Sequence, residues 1–159
     1  MLPLKVKDIV YDLSLNPVVL LVDEKEEQVL PIWIGPLEAQ VIALFLSKVE
    51  VTRPLTHDII CSICQRFEAG VDKIVISDMR EGTYYAELYL KKDEHEQIII
   101  DLRPSDAIAL ALRSTSPIYL GDRVYDQLLP IEELSDEQQK ELKKILDSTD
   151  TNSGKNHLH

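Results

Sequence analysis

Residues 100–113 read IDLRPSDAIALALR. Three isoleucines, Ile98, Ile99 and Ile100, lead into Asp101, Arg103, Pro104, Ser105 and Asp106, and residues 107–112 are then wholly apolar. Adjacent β-branched residues favour a strand. Proline has a fixed φ and no amide hydrogen, which suits the first position of a helix and not its interior. The stretch therefore predicts a strand ending at Asp101 and a helix starting at Pro104. With Arg103 as N-cap, Asp106 is the third helical residue. A carboxylate there can accept the N-cap amide and complement the helix dipole. A helix that is apolar all round belongs in a core.

The same pattern occurs 68 residues earlier. Pro36, Glu38, Ala39, Ala43 and Leu44 match Pro104, Asp106, Ala107, Ala111 and Leu112. Upstream of each helix lies a hairpin with an acidic turn, DEKEE (23–27) in one half and KKDEHEQ (91–97) in the other. This predicts an α+β fold made of a duplicated strand–strand–helix unit, with a mostly antiparallel sheet around two buried apolar helices. The helix over 36–48 has Gly35 as N-cap and Glu38 in the place of Asp106.

The remaining elements follow from local pattern. Residues 4–13 alternate as a strand whose phase slips near Asp8, the sign of a β-bulge. Strands are expected over 18–22, 28–34, 71–79, 83–91, 96–101 and 117–120, with a tight turn at Glu81 and Gly82. Pro31 places its strand at an edge or a bend. A helix over 56–68 takes Thr56 as N-cap. The domain is expected to span 1–130. An amphipathic helix over 131–147 follows, opened by the Ser135 and Gln138 capping pair, and then a disordered tail over 148–159.

Seventeen Lys and Arg against twenty-eight Asp and Glu give a formal charge of −11. That argues against passive binding of nucleic acid, which needs a basic footprint. It does not argue against an enzyme that reaches phosphates through a cation held by carboxylates. No apolar run approaches the roughly 18 residues of a membrane-spanning helix, the N-terminus lacks a signal-peptide pattern, and two cysteines imply no disulfide framework. A soluble cytoplasmic protein with no membrane contact is expected.

Three stretches taken in order, LPIWIGPLEA (30–39), RPLTHD (53–58) and DLRPSDAIALA (101–111), resemble the bifunctional nuclease family over residues 4–130. The family includes small bacterial proteins and plant proteins that cut both DNA and RNA. The resemblance implies a nuclease acting on DNA, RNA or both. It transfers no catalytic residue, so the candidates rest on this chain's own chemistry. Glu38, Asp58, Asp101 and Asp106 are candidate ligands for a divalent cation, Mg²⁺ or Mn²⁺, which favours carboxylate oxygen. Such an ion activates water and stabilises a leaving oxygen. His57 is the candidate proton handler. Arg53 and Arg103 are candidate phosphate clamps, and Ser105 completes the catalytic set.

Each candidate has a plainer reading. The N3 acids can simply cap helices, and a first-turn histidine can simply be exposed. Cys61 and Cys64 form a C-x-x-C with His57 on the same helix face, but no second cysteine pair closes a zinc site, so core packing is the expected role. Trp33, Tyr84, Tyr85, Tyr89 and Tyr119 can stack bases or pack across strands. The competing function is a non-catalytic oligomeric binding or regulatory module. If one catalytic site exists, the turns at 56–58 and 103–106 must meet. The two apolar helices are expected to pack together, and the protein to form a homodimer.

Overall fold

The computed structural model describes residues 1–133. The helix expected over 131–147 falls outside the described residues from 134 onward, as does the tail; residues Ile131–Glu133 form a 3₁₀ turn. The elements in chain order are β1 (Leu2–Tyr11), β2 (Pro17–Val22), β3 (Gln28–Trp33), α1 (Pro36–Leu46), α2 (Thr56–Arg66), β4 (Gly70–Arg80), β5 (Thr83–Lys91), β6 (Gln97–Leu102), α3 (Pro104–Ser114), β7 (Ile118–Leu120) and β8 (Leu129–Pro130). One eight-stranded sheet runs β6-β5-β4-β7-β1-β2-β3-β8. Its pairs are antiparallel, except β4 with β7, which is parallel. Among the described residues no helix is long and apolar enough to cross a membrane.

The repeat is larger than the sequence pattern indicated. It comprises three strands and a helix, β1-β2-β3-α1 matched by β4-β5-β6-α3. Element starts at 2, 17, 28 and 36 recur at 70, 83, 97 and 104, and both helices have 11 residues. Each leading strand also carries an aspartate at a register shift. Asp8 accepts the Ile9 amide at 2.7 Å, and Asp78 accepts the Met79 amide at 2.9 Å. The expected bulge at Asp8 is therefore present and has a counterpart. β7 joins the halves, with Ile118 opposite Leu4 on one side and Ile74 on the other. Pro31 sits where β3 has only one neighbour, because β8 pairs no further than Val29.

The helix α3 lies against α1, α2, β4 and β5, and residues 107–111 are all buried. The alanines at 107, 109 and 111 leave room for close neighbours, while Ile108 and Leu110 fill the core. The expected contact between α1 and α3 is present. The expectation that α1 is buried on all sides is not met. Only Ala39, Ile42 and Phe45 are buried, while Leu37, Gln40 and Ala43 face solvent. The reason is position: α1 flanks α3 rather than sitting between two layers.

The helix α2 is more peripheral still, with no fully buried residue. Cys61 and Cys64 pack against the core from partly buried positions, whereas Ile59, Ile63 and Phe67 are exposed. The continuous apolar run of β2 is buried along its length. Val19 and Leu21 join the main core, and Val18, Leu20 and Val22 join a smaller cluster with Val10 and Val29. The edge strand β6 exposes Ile98, Ile99 and Ile100.

Ile108 is fully buried on the helix that every layer touches. Ile108→Ala removes apolar contacts and leaves a cavity that this crowded position cannot collapse. A loss of about 2–5 kcal/mol is expected from the urea unfolding midpoint; a loss below about 1 kcal/mol would show that the core relaxes around α3.

Candidate active site at the helix N-termini

All three helices carry an acid at their third position: Glu38 in α1, Asp58 in α2 and Asp106 in α3. Only one of them acts as a local cap in the way expected. The Leu55 amide donates to Asp58 Oδ2 at 2.8 Å. This corrects the expected boundary of α2. Leu55, in extended conformation after Pro54, is the N-cap, so Thr56 is the first helical residue and His57 the second. The carboxylate at the third position satisfies the N-cap amide, so no hydroxyl is needed there.

Glu38 and Asp106 turn their oxygens to a shared guanidinium instead. Arg103 donates from Nε to Asp106 Oδ2 at 2.8 Å and from Nη2 to Asp106 Oδ1 at 3.2 Å. Its Nη1 reaches Glu38 Oε1 at 3.0 Å. The position matching Arg103 in the first repeat is Gly35, and the missing side chain has a use. A Cβ at residue 35 would lie 2.1 Å from Glu38 Oε2, so a larger residue requires the end of the Glu38 side chain to shift.

The first turn of α2 docks alongside. His57 Nε2 lies 3.1 Å from Asp106 Oδ1, and the Phe45 ring meets the imidazole edge-on, with centroids 5.9 Å apart. The next residue, Asp58, pairs with Arg113 from the last turn of α3. The Arg113 guanidinium also lies 4.9 Å from the Phe45 ring centre. The expected meeting of the 56–58 and 103–106 turns is thus present. Arg113 was not among the sequence candidates. Its signal was the spacing from Asp106, seven residues and two helical turns away on one face.

Burial pushes the Asp106 carboxyl up, but the bonds from Arg103 and His57 outweigh it and hold the group below its ordinary value of 3.8. Asp58 follows the same logic: burial raises it, and Arg113 and the Leu55 amide bring it below 3.8. Arg103 is held more firmly protonated by Asp106 and then Glu38. Asp58 and Asp106 stay ionised and Arg103 stays charged.

Other candidates lie elsewhere. Asp101 sits opposite Glu87 in the β5 and β6 register, near enough to Arg80 to strengthen its charge. Its neighbour Leu102 packs toward the core, so strand alternation sends Asp101 to the other face, and it does not join Asp106. Arg53 is exposed in the segment between α1 and α2. Ser105 is buried and lines a cavity of about 370 Å³ together with Glu38, Arg103, Trp33 and Tyr84. Burial, reinforced by Cys64 and Asp58, raises the Cys61 thiol, which disfavours a reactive thiolate.

The fit to a divalent cation is poor. Among the described residues no group of three or more His, Cys, Asp or Glu is placed to hold a metal. The guanidinium of Arg103 bridges Glu38 and Asp106, the place a shared ion would take.

Acid titration reports on these pairs. A carboxyl whose folded value is depressed contributes stability above its ordinary value, and that contribution is lost as pH falls through the folded value. Stability is therefore expected to drop as pH falls below 3.8, with Asp58 and Asp106 both contributing. In urea titrations, Asp58→Asn should be less stable than the parent at neutral pH and should lose less between neutral pH and acid. Equal acid losses in the two proteins would exclude Asp58 as a source.

Comparison with known proteins gives these contacts a family setting. The family model described as the bifunctional nuclease domain matches residues 18–131. An uncharacterized protein of Mycobacterium tuberculosis is 41% identical over 124 residues, covering 77% of this chain and 73% of the relative. Bifunctional nuclease 1 of Oryza sativa subsp. indica is 30% identical over 111 residues, 69% of this chain and 34% of the plant protein. Bifunctional nuclease 2 of Arabidopsis thaliana is 28% identical over 108 residues, 67% of this chain and 33% of the relative. The matched span contains Glu38, His57, Arg103 and Asp106, and the chain belongs to the bifunctional nuclease domain family.

Proposed function

We propose that this protein is a nuclease that hydrolyses phosphodiester bonds of DNA and RNA at the cluster formed by His57, Arg103 and Asp106. The observation that carries the reading is one carboxylate serving two partners: Asp106 holds a histidine at 3.1 Å and a guanidinium at 2.8 Å. Hydrolysis of a phosphodiester needs a proton acceptor for water and positive charge on the phosphate oxygens. Family membership and the plant relatives named as nucleases support the same chemistry.

The roles follow from the bonds. Arg103 uses three N–H groups on Glu38 and Asp106. A guanidinium has five, which leaves two for phosphate oxygens. With Nε2 directed at an ionised Asp106, His57 keeps its proton there and Nδ1 accepts one from the attacking water. Water oxygen bonds to phosphorus, the ester P–O bond breaks, and the proton held by imidazolium goes to the departing oxygen. Glu38 orients Arg103. No step is routed through a divalent cation, because Arg103 fills the space between the two acids that would hold it.

One observation favours a non-catalytic module instead: Arg103 is already paired with both acids and ties α1 to α3. The two readings separate on rate. His57→Ala should lower kcat on a single-stranded oligonucleotide about a hundredfold or more, with rates compared per folded molecule because the largely buried imidazole also pairs with Asp106. Arg103→Lys keeps the charge but loses the planar fork, so KM should rise. Both variants and the parent are purified identically and assayed with chelator and over a Mn²⁺ titration. Cleavage by His57→Ala at the parent rate would sink the proposal.

A further inference from the structure

The cavity of about 370 Å³ borders Arg103 but is lined by neither His57 nor Asp106. It is a space next to the cleavage cluster and not the cluster itself. Two helix N-termini contribute to its wall, through Gly35 and Glu38 at the start of α1 and Pro104 and Ser105 at the start of α3. Each helix N-terminus carries about half a positive charge from its aligned peptide dipoles. Pro104 has no amide hydrogen. The Ser105 and Asp106 amides that follow it have no intrahelical acceptor and no side-chain cap.

Ser105 marks this space as a binding site. Only 8% of the residue is exposed, yet nothing among the described residues hydrogen-bonds to its hydroxyl. Among the described residues no side-chain polar atom is both sealed from solvent and unpartnered. The Ser105 Oγ therefore opens onto free space, and the cavity is the space that Ser105 lines. A buried hydroxyl without a partner costs stability, so folding does not call for it. The repeat does not call for it either, because the position 68 residues earlier is Leu37, which is 73% exposed. The acids nearby leave the site open to an anion. Arg103 donates to both oxygens of Asp106 and to one of Glu38. Two carboxylates set against one guanidinium and two helix N-termini bring the local charge to about zero.

We propose that this cavity is a second phosphate subsite, in which Ser105 Oγ and the free amides of the first turn of α3 donate to a phosphate flanking the cleaved one, with Arg103 bordering both. The inference rests on the nuclease reading for its ligand, a nucleic acid strand. It makes the number of phosphates a determinant of the substrate. A dinucleoside monophosphate has only the phosphate to be cleaved and leaves the subsite empty.

The whole protein, labelled with ¹⁵N, is titrated with inorganic phosphate and, separately, with sodium chloride at matched ionic strength. Saturable shifts of the Ser105 and Asp106 amide signals are expected with phosphate alone. Ser105→Ala should weaken phosphate binding about tenfold. Ser105→Cys, close to serine in size but a weak donor, should do the same. Both should melt no lower than the parent, since each removes an unpaired buried hydroxyl. In cleavage assays, thymidylyl-thymidine is compared with its 5′-phosphorylated and 3′-phosphorylated forms. One phosphorylated form should have a KM about tenfold lower in the parent, and that advantage should vanish in both variants. Absence of a saturable phosphate shift at these amides would overturn the proposal, as would parent-like phosphate affinity in both variants. The result is separable from the nuclease reading. Phosphate binding at these amides without cleavage of any substrate keeps the anion site and removes the nuclease. Cleavage with equal KM for all three dinucleotides, and no phosphate shift, removes the subsite alone.

Discussion

The central constraint is that residues 107–111 give α3 no polar side. Five successive buried residues require enclosure in every direction. The sheet covers one flank through β4 and β5, and α1 and α2 cover the others. This arrangement explains why the charged residues of α3 sit at its ends, Arg103 and Asp106 before the first buried turn and Arg113 in the last. A charge in the middle would be desolvated without a partner, at a cost of several kcal/mol by order of magnitude.

Enclosure also builds the site. Helices packed against α3 bring their first turns to its N-terminus, so the third-position acids of α1 and α3 meet one guanidinium. The α2 turn lies across the same helix, with His57 toward Asp106 and Asp58 toward Arg113. Arg103 is 64% exposed in its side chain, and exposed ion pairs contribute only about 0–1 kcal/mol. The core holds the three helices together; the ion pairs set how their polar ends face one another. Duplication supplies the near-symmetry of Glu38 and Asp106, and the one position that breaks it, Gly35 against Arg103, lets a single cation serve both acids.

The cluster sets two acids and one guanidinium on the first turns of α1 and α3, with His57 and Asp106 partly buried and Arg103 mostly exposed.

Much of this was legible in the sequence. Pro36 and Pro104 mark helix starts because proline fits only there, the phase slip near Asp8 marks a bulge because side chains alternate with period two, and the 68-residue offset marks a duplication. Those signals are local or periodic, and the chain carries them without folding. Other features needed the tertiary structure. The first strand of each repeat was legible as a strand, over 4–13 and 71–79, but no residue match links the two, so the unit looked like two strands and a helix. Uniformly apolar α1 does not say which side meets solvent, since that depends on what α3 already covers. Asp101 stands beside Leu102 in sequence yet goes to the opposite sheet face from it, because one residue in a strand reverses direction. His57 and Asp106 are 49 residues apart, and no spacing rule links them. Their meeting is fixed by the packing of α2 on α3, which depends on shape and burial across the whole core.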